Sequence, residues 1–532
     1  NIKKMKIQLI IFSFISTFAF AQQTATGYVF EDVNRNGIKD KKEKGIAHIS
    51  VSNGVEVVQT LVDGKYTLPV QDDNIIFVIK PSQYMTQKNA SQLPQFFYNH
   101  KPNGSPKDFK YAGVKPSGEL PKEINFPLYP QKEDANFQIL VFGDPQPYDL
   151  KEMDYFKRGI INEVKNNKKN AVLGISLGDL VGDNLSLHPT YIDAVKELGL
   201  PWYNVMGNHD MNYEAKDDKL SDETFEANFG PNNYAFNYGN VHFIILDDIL
   251  YPDPRDGKSY WGGFRKEQLD FVENDLKHVN PNQLIVLSFH IQLTPENEND
   301  DHFRMEDRQR LFSILKPFQN VLMMSAHTHK QSQFFYSKKE GWDGMKPIHE
   351  FNAGTTSGDW YSGTADEIGV PKSVMRDGTY RGYSFINFKD NDYEITYKVA
   401  GKPEDYQINL WVPKVIPFKS KNSARIVANF FMGSKNDELE YRIDGGEWKK
   451  MDYSESIDPE FTDSVLKWDT TNELFVGRRP NNPENSRHIW TAPFSKKLDL
   501  GKHEVEVRVK DHYGKVYTAK SSFEVKNTKA IQ

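Results

Sequence analysis

Residues 203–210 read "YNVMGNHD": Tyr203 to Met206 suit a buried strand, and the run then breaks off into Gly207, Asn208, His209 and Asp210. A hydrophobic core has no use for three polar side chains in a row, so they point to a site. The same shape recurs on both sides. "FQILVF" runs into Asp144 and Gln146, "AVLGISL" into Asp179 and Asp183, "QLIVLSF" into His290, and "NVLMMS" into "AHTH" with His327 and His329. Between these runs lie helix-length segments with apolar residues at helical spacing, "DYFKRGIINEVKNN" and "FRKEQLDFVENDLKHV". Near-continuous apolar strands alternating with helices describe an α/β sheet buried on both faces. In such sheets ligands bind beyond the carboxyl ends of the strands, where all five runs deliver their polar groups.

The chain around this centre is too long for one core. At 532 residues it predicts about three domains, from a prior of roughly 100–200 residues each. Residues 22–128 hold short runs rich in Val, Ile, Thr and Tyr ("TGYVF", "HISVSNG", "GKYTLPV", "IIFVIK") split by Gly, Asp and Asn, the pattern of a β-sandwich. "FPLYPQKEDAN" reads as a linker into the α/β region, taken as 129–398. From 399 to 532 alternating strands return ("ARIVANFFM", "LEYRIDGGEW", "KHEVEVRVKDHYG"), predicting a second β-rich domain with a hairpin turn at "DGGEW".

Residues 1–21 have the form of a signal peptide: Lys3, Lys4 and Lys6, then the apolar "IQLIIFSFISTFAF", then small residues at Ala19 and Ala21 before Gln22. No other segment is long and apolar enough to span a bilayer. There is no cysteine, which excludes disulfides, thiolate metal sites and cysteine nucleophiles. Export without disulfides fits a bacterial periplasm. The formal net charge is −7 at pH 7, falling to −10 without the three leader lysines, and no Lys/Arg block of nucleic-acid type occurs. Long nucleic acids are therefore poor partners. The oligomeric state is not legible.

Carboxylates, imidazoles and amide oxygens without thiols suit divalent cations such as Mn, Zn, Fe, Ni or Mg. So many ligands exceed what one tetrahedral ion takes, and a carboxylate such as Asp179 can bridge two ions about 3.5–4 Å apart. A lone Gly-Asp after a strand is usually a turn, and a lone buried histidine usually a core residue. The ordered conjunction D-x-Q, G-D-x-x-x-D, G-N-H-D, H and H-x-H, each after an apolar strand, argues for a dinuclear site.

With these motifs in this order, residues 137–398 resemble the calcineurin-like metallophosphoesterase superfamily, and the flanking β regions resemble those of its secreted bacterial members. The resemblance implies a four-layer α/β sandwich of mixed sheets flanked by helices, with N-terminal and C-terminal β-sandwich domains. It implies one metal on Asp144, Asp179 and His329, the other on Asp179, Asn208, His290 and His327, and a metal-bound hydroxide attacking a small phosphomonoester or phosphodiester. His209 becomes the general acid for the leaving group. Asp210 either holds His209 or caps a helix, and Asp183 either supports the site or sits in a turn. Gln146 stands where the superfamily carries a histidine ligand, so its ion is expected to be the weaker. Ala326 replaces a motif glycine. Gly182 stands where purple acid phosphatases carry a metal-bound tyrosine, so their colour is not implied.

Two further stretches invite a function. Trp360, Tyr361 and Arg376 lie in a Gly-rich segment after the last motif and either line a substrate pocket or pack their own loop. Asp32, Asn34, Asn36, Asp40 and Glu43 have the spacing of a calcium loop with Gly37 at its sixth position, and form either a bracing calcium site or an Asx-rich turn. The function class that competes with hydrolysis is a periplasmic or cell-surface binding protein on the same fold, its chemistry weakened at Gln146.

Overall fold

The structure is a computed structural model that describes residues 23–297, 299–420 and 422–528. The signal peptide expected at 1–21 lies outside them. Among the described residues no helix is long and apolar enough to cross a membrane.

The N-terminal region folds into two sheets. One runs in spatial order Lys65–Pro69, Thr24–Glu31, Phe126–Pro130, Tyr84–Lys88, Pro94–Gln95, and the other Val57–Gln59, Ser50–Ser52, Asn74–Val78, Phe97–His100. Period-two alternation decides what faces the core: Tyr66 and Leu68 are buried while Lys65 and Thr67 are exposed. The linker expected from Phe126 starts instead as a strand. Phe126 and Leu128 are buried, and residues 126–128 pair in parallel with Val29–Glu31 from the far end of the region.

The central region is a four-layer sandwich. The first sheet has the order Trp202–Val205, Ala171–Leu177, Asn136–Phe142, Gly382–Lys389, Asp392–Val399; the second Tyr234–Tyr238, Val241–Ile245, Leu284–Ser288, Asn320–Ser325, Ile348–Asn352, Ser332–Tyr336. Asn136–Phe142, Ala171–Leu177 and Trp202–Val205 are mutually parallel, as are Leu284–Ser288 and Asn320–Ser325, so within each sheet the motif-bearing ends point one way. The sheets meet through aromatics: Tyr203 stacks on Phe236 with ring centroids 3.9 Å apart and planes 6° apart. Such a pair contributes about 0.5–1.5 kcal/mol beyond its buried area, and it anchors the strand that leads into Gly207–Asp210. Helices cover the outer faces. Phe156, in the helical stretch 150–167, packs edge-on against Phe142 of the first sheet, and Phe312 of helix Met305–Leu315 against Tyr336 of the second.

The C-terminal region is a second pair of sheets with one helix, Pro459–Asp469, capped by Asp458 accepting from Phe461 N. Glu440 and Tyr441 pair with Lys450 and Lys449 across the "DGG" turn, as the hairpin reading expects. Both flanking regions are bolted to the centre by buried polar bonds. Lys80 Nζ reaches Glu133 and the Asn237 carbonyl at 2.7 Å each, and Gln331 Nε2 donates to the Phe431 carbonyl at 2.6 Å.

Candidate metal centre

Five strand ends converge, and their backbone is bent to do so. Asp144, Gln146, Asp179, His327 and His329 all have positive φ, between 29° and 69°. For residues with a Cβ this costs about 1–3 kcal/mol each and persists where surrounding structure enforces it, typically at functional sites. Here the enforcement is visible: Gln146 N donates to the Asp179 carbonyl (2.9 Å), Ala326 N to the His290 carbonyl (2.9 Å), and His327 N to Asp144 Oδ2 (3.1 Å). Two glycines permit the close approach. A Cβ on Gly178, at φ +92°, would run into the His290 ring, and one on Gly207 would overlap the backbone and carboxylate of Asp179.

At the centre lies His290, fully buried. Its Nδ1 is 2.7 Å from the Leu177 carbonyl, which accepts a hydrogen bond from Nδ1–H and so turns Nε2 toward the site. Within 3.1–3.3 Å of Nε2 sit Asn208 Oδ1, Asp179 Oδ2 and His327 Nδ1. Asp179, His290 and His327 alone bring three ligand atoms within 4.8 Å of one another. Burial opposes charge on His290, but the Asp179 and Asp144 carboxylates more than reverse that and push it up to about 10. A buried cluster of carboxylate, amide oxygen and imidazole groups that raises a histidine this far fits a cation.

Beside it, Asp144 and Gln146 are fully buried and His329 nearly so. Neither amide atom of Gln146 has a hydrogen-bond partner, whereas Nδ1 of His329 faces the Asp359 carboxylate 3.5 Å away. An unsatisfied buried polar group costs about 1–3 kcal/mol. These orphaned donor atoms next to a buried carboxylate fit a second cation. Burial raises Asp144 to about 6, against the pull of His290 and His329.

His209 stands at the rim, its side chain 22% exposed. Its amide donates to Asp179 Oδ1 (2.9 Å), and its Nδ1 lies 2.7 Å from Asp183 Oδ1. Asp183 is also met by the Tyr213 hydroxyl at 2.9 Å. Burial opposes the imidazolium, but Asp179 and Asp183 outweigh it, and His209 is pushed up to about 9. The reading that Asp210 holds His209 is corrected. Asp210 is wholly buried and accepts from the amides of Gly207, Leu180 and Val181, with His188 Nε2 at 3.1 Å, so it ties two motif loops together. The support falls to Asp183, which the G-D-x-x-x-D spacing had already marked.

The remaining candidates divide. Tyr361 is buried with its hydroxyl on the Pro145 carbonyl (2.7 Å), so it packs the loop and does not line a pocket. Trp360 packs on His329 with centroids 4.4 Å apart. Arg376 is near, but its fork is engaged by Glu484 (2.9 Å) and the Thr328 carbonyl (2.7 Å), so of its two readings the packing one fits. Tyr148, which the motifs did not flag, fills the space beside Gly182, 5.9 Å from the His209 ring. In the N-terminal loop, Asp40 Oδ2 accepts from Asn34 (2.7 Å) and Asn36 (3.1 Å), Asp32 from Gly37 N (2.8 Å), and Glu43 from Val33 N and Asp40 N (2.9 Å each). These are the bonds of an Asx-rich turn, one of the two readings of that loop.

Comparison with known proteins gives three successive family matches: N terminal of calcineurin-like phosphoesterase over residues 33–114, calcineurin-like phosphoesterase over 137–331, and C terminal of calcineurin-like phosphoesterase over 350–517. A probable glycerophosphodiester phosphodiesterase of Arcobacter nitrofigilis is 25% identical over 193 residues, 36% of this chain and 68% of that protein. Similar solved structures include a dimetal phosphatase from Danio rerio, with TM-score 0.34, 12% identity, and 49% of this chain and 95% of that one covered. Another is a purple acid phosphatase from yellow lupin seeds, with TM-score 0.37, 13% identity, and 66% and 67% covered.

Proposed function

The chain belongs to the calcineurin-like metallophosphoesterase superfamily, whose members hydrolyse phosphoesters with metal ions, and from that premise we propose that its strand-end cluster is a dinuclear centre acting on a small phosphomonoester or phosphodiester. One observation carries the reading: a carboxylate, an amide oxygen and an imidazole nitrogen all lie within 3.1–3.3 Å of His290 Nε2. Asp179, Asn208, His290 and His327 would hold one ion, and Asp144, Gln146, His329 and the shared Asp179 the other. When bound, the ions supply charge for the phosphoryl oxygens and lower the pKa of water.

The chain's own residues do the rest. Asp179 ties both halves, because the same carboxylate that faces His290 also fixes the His209 backbone through Oδ1. His209 Nδ1–H donates to Asp183, so its Nε2 proton is the one available to a departing alkoxide. Tyr213 holds Asp183 and also donates to the Asn208 carbonyl (2.8 Å), which keeps acid and metal ligand in one frame.

The test is a screen of aryl phosphomonoester and bis-aryl phosphodiester turnover with added Mn, Zn, Fe, Ni or Mg on the chain from Gln22. Protein that binds two ions yet turns over neither ester class would overturn the catalytic reading. On the pattern of residues 3–21 we also place the protein in a bacterial periplasm; recovery of full-length chain retaining those residues in the cytoplasmic fraction would refute that.

A further inference from the structure

The C-terminal β region reaches the metal centre. Residues 474–487 lead from helix Pro459–Asp469 toward strand Ile489–Pro493 and lie along the central region. Glu484 takes hydrogen bonds from Lys330 (2.8 Å) and Arg376 (2.9 Å), Asn481 donates to Asp359 (2.7 Å), and Gly363 N donates to the Arg478 carbonyl (2.8 Å). The segment is thereby fixed at both ends of its contact, although it is more than a hundred residues from the last metal motif.

Arg478 differs from the cations around it, since Arg487 of the same segment is held by the Pro295 and Glu296 carbonyls (3.1 and 2.9 Å). Lys330, Arg376 and Arg479 each have a carboxylate partner, whereas among the described residues the Arg478 guanidinium has neither hydrogen bond nor ion pair and is exposed. It lies over the Trp360 ring, 5.3 Å from its centroid, and Trp360 packs in turn on His329. Its charge is also felt by Tyr148, which stands beside His209, and by the carboxylate of Glu152. A guanidinium with no carboxylate in hydrogen-bond reach, its backbone fixed and its charge lying over the ring that packs on His329, is set to meet a carboxylate or phosphate in the bidentate manner that Arg favours.

We propose that Arg478 is a specificity residue that receives a second anionic group, a carboxylate or a further phosphate, on the organic part of a substrate whose scissile phosphate lies at the metal centre. This rests on the phosphoesterase reading of that centre. It makes the substrate an anion at two positions, and it gives the C-terminal β region a part in recognition.

The experiment is calorimetric binding of three phosphonates to the manganese-loaded full chain: ethylphosphonate, phosphonopropionate and ethylenediphosphonate. The wild type should bind at least one of the two doubly anionic compounds roughly tenfold more tightly than ethylphosphonate, the worth of one hydrogen-bonded charge contact. Which of the two is preferred tells carboxylate from phosphate. Arg478→Ala should abolish the preference and leave ethylphosphonate binding and the melting temperature unchanged, with Arg478→Lys retaining part of it. A wild type without preference, or an Arg478→Ala variant that keeps it, overturns the inference while the phosphoesterase reading stands. Failure of every phosphonate to bind, together with no ester turnover, removes both.

Discussion

His209 Nδ1 lies 2.7 Å from Asp183 Oδ1, while the carboxylate of Asp210, its neighbour in sequence, turns inward to the amides of Gly207, Leu180 and Val181. Residues 208–210 form a single 3-10 turn, and in that geometry consecutive side chains point roughly 120° apart. Adjacency in sequence therefore separates the two groups, and a residue from the preceding motif supplies the contact. Replacing His209 by Ala should slow alkyl phosphate esters by about 10²–10⁴-fold, and p-nitrophenyl esters much less, because a good leaving group needs little protonation. Asp183→Asn should repeat that leaving-group dependence at smaller size. Asp210→Asn should instead lower stability by about 1–3 kcal/mol, since an amide NH2 then faces backbone donors. Turnover ratios on the two ester types, set beside melting curves, check all three; equal losses on both esters in His209→Ala would remove the general-acid role.

The protonation of His209 has a definite sign in the metal-free protein. Burial lowers its pKa, the Asp179 and Asp183 carboxylates raise it more, and the result is about 9 against an ordinary 6.5. A folded value above the unfolded one means that the charged imidazole stabilises the fold: the contribution is fully present below pH 6.5 and is lost as pH rises through 9. NMR titration of the metal-free chain should place the His209 midpoint above that of an exposed histidine, and Asp183→Asn should move it down. A midpoint that ignores Asp183→Asn would show that this hydrogen bond does not hold the proton.

Asp179 is asked to serve both ions, so its loss should cost more than the loss of any single ligand. Asp179→Asn keeps the shape, removes the shared charge, and should leave a folded protein with much less than its full metal content. The sheet core survives because it rests on packing such as Tyr203 on Phe236, remote from the change. Elemental analysis of purified variant and wild type gives the answer. Two ions retained in Asp179→Asn would rule out the bridge.

Gly207 gives a steric test of the same point. A Cβ at this position overlaps Asp179, and the overlap falls on backbone as well as on the carboxylate, so no flexible side chain is there to yield. Gly207→Ala should displace the strand end, reduce metal content and lower the melting temperature, although alanine is a better former of regular structure than glycine. Normal metal content and a raised melting temperature would show that the approach is looser than the structure has it.

The strands that carry the site were legible because they are buried on both faces, which leaves runs such as "QLIVLSF" with no polar interruption until the functional residue. What escaped depends on partners distant in sequence. Phe126–Pro130 reads as a linker because its prolines obscure the alternation, and only pairing with Val29–Glu31 makes it a strand. Arg376 could be read as a pocket residue because Glu484, which engages it, lies 108 residues further on. Tyr361 has the composition of a pocket residue, and only the fold brings the Pro145 carbonyl to its hydroxyl. Asp210 misleads for the opposite reason: sequence neighbourhood suggests a contact that the local turn forbids.

Gln146 is the one proposed ligand that departs from the family pattern, and its surroundings make the departure testable. It is fully buried at φ +40°, its backbone amide is tied to the Asp179 carbonyl, and both side-chain amide atoms lack partners. A neutral amide oxygen is a weaker donor than imidazole to borderline cations, so the ion on Asp144, Asp179 and His329 should be the more labile of the two, and activity after dialysis should depend on added metal. Gln146→His should tighten that ion and reduce the dependence. Gln146→Ala should loosen it further and lower turnover at limiting metal, with partial rescue at high metal because three ligands remain. It should also remove two orphaned polar atoms from the interior, so the metal-free form should lose less stability than truncation of a buried side chain usually brings, a readout independent of turnover. Metal titrations of the three proteins that superimpose, with one turnover number among them, would show that Gln146 binds no ion and that its unpartnered amide has another cause.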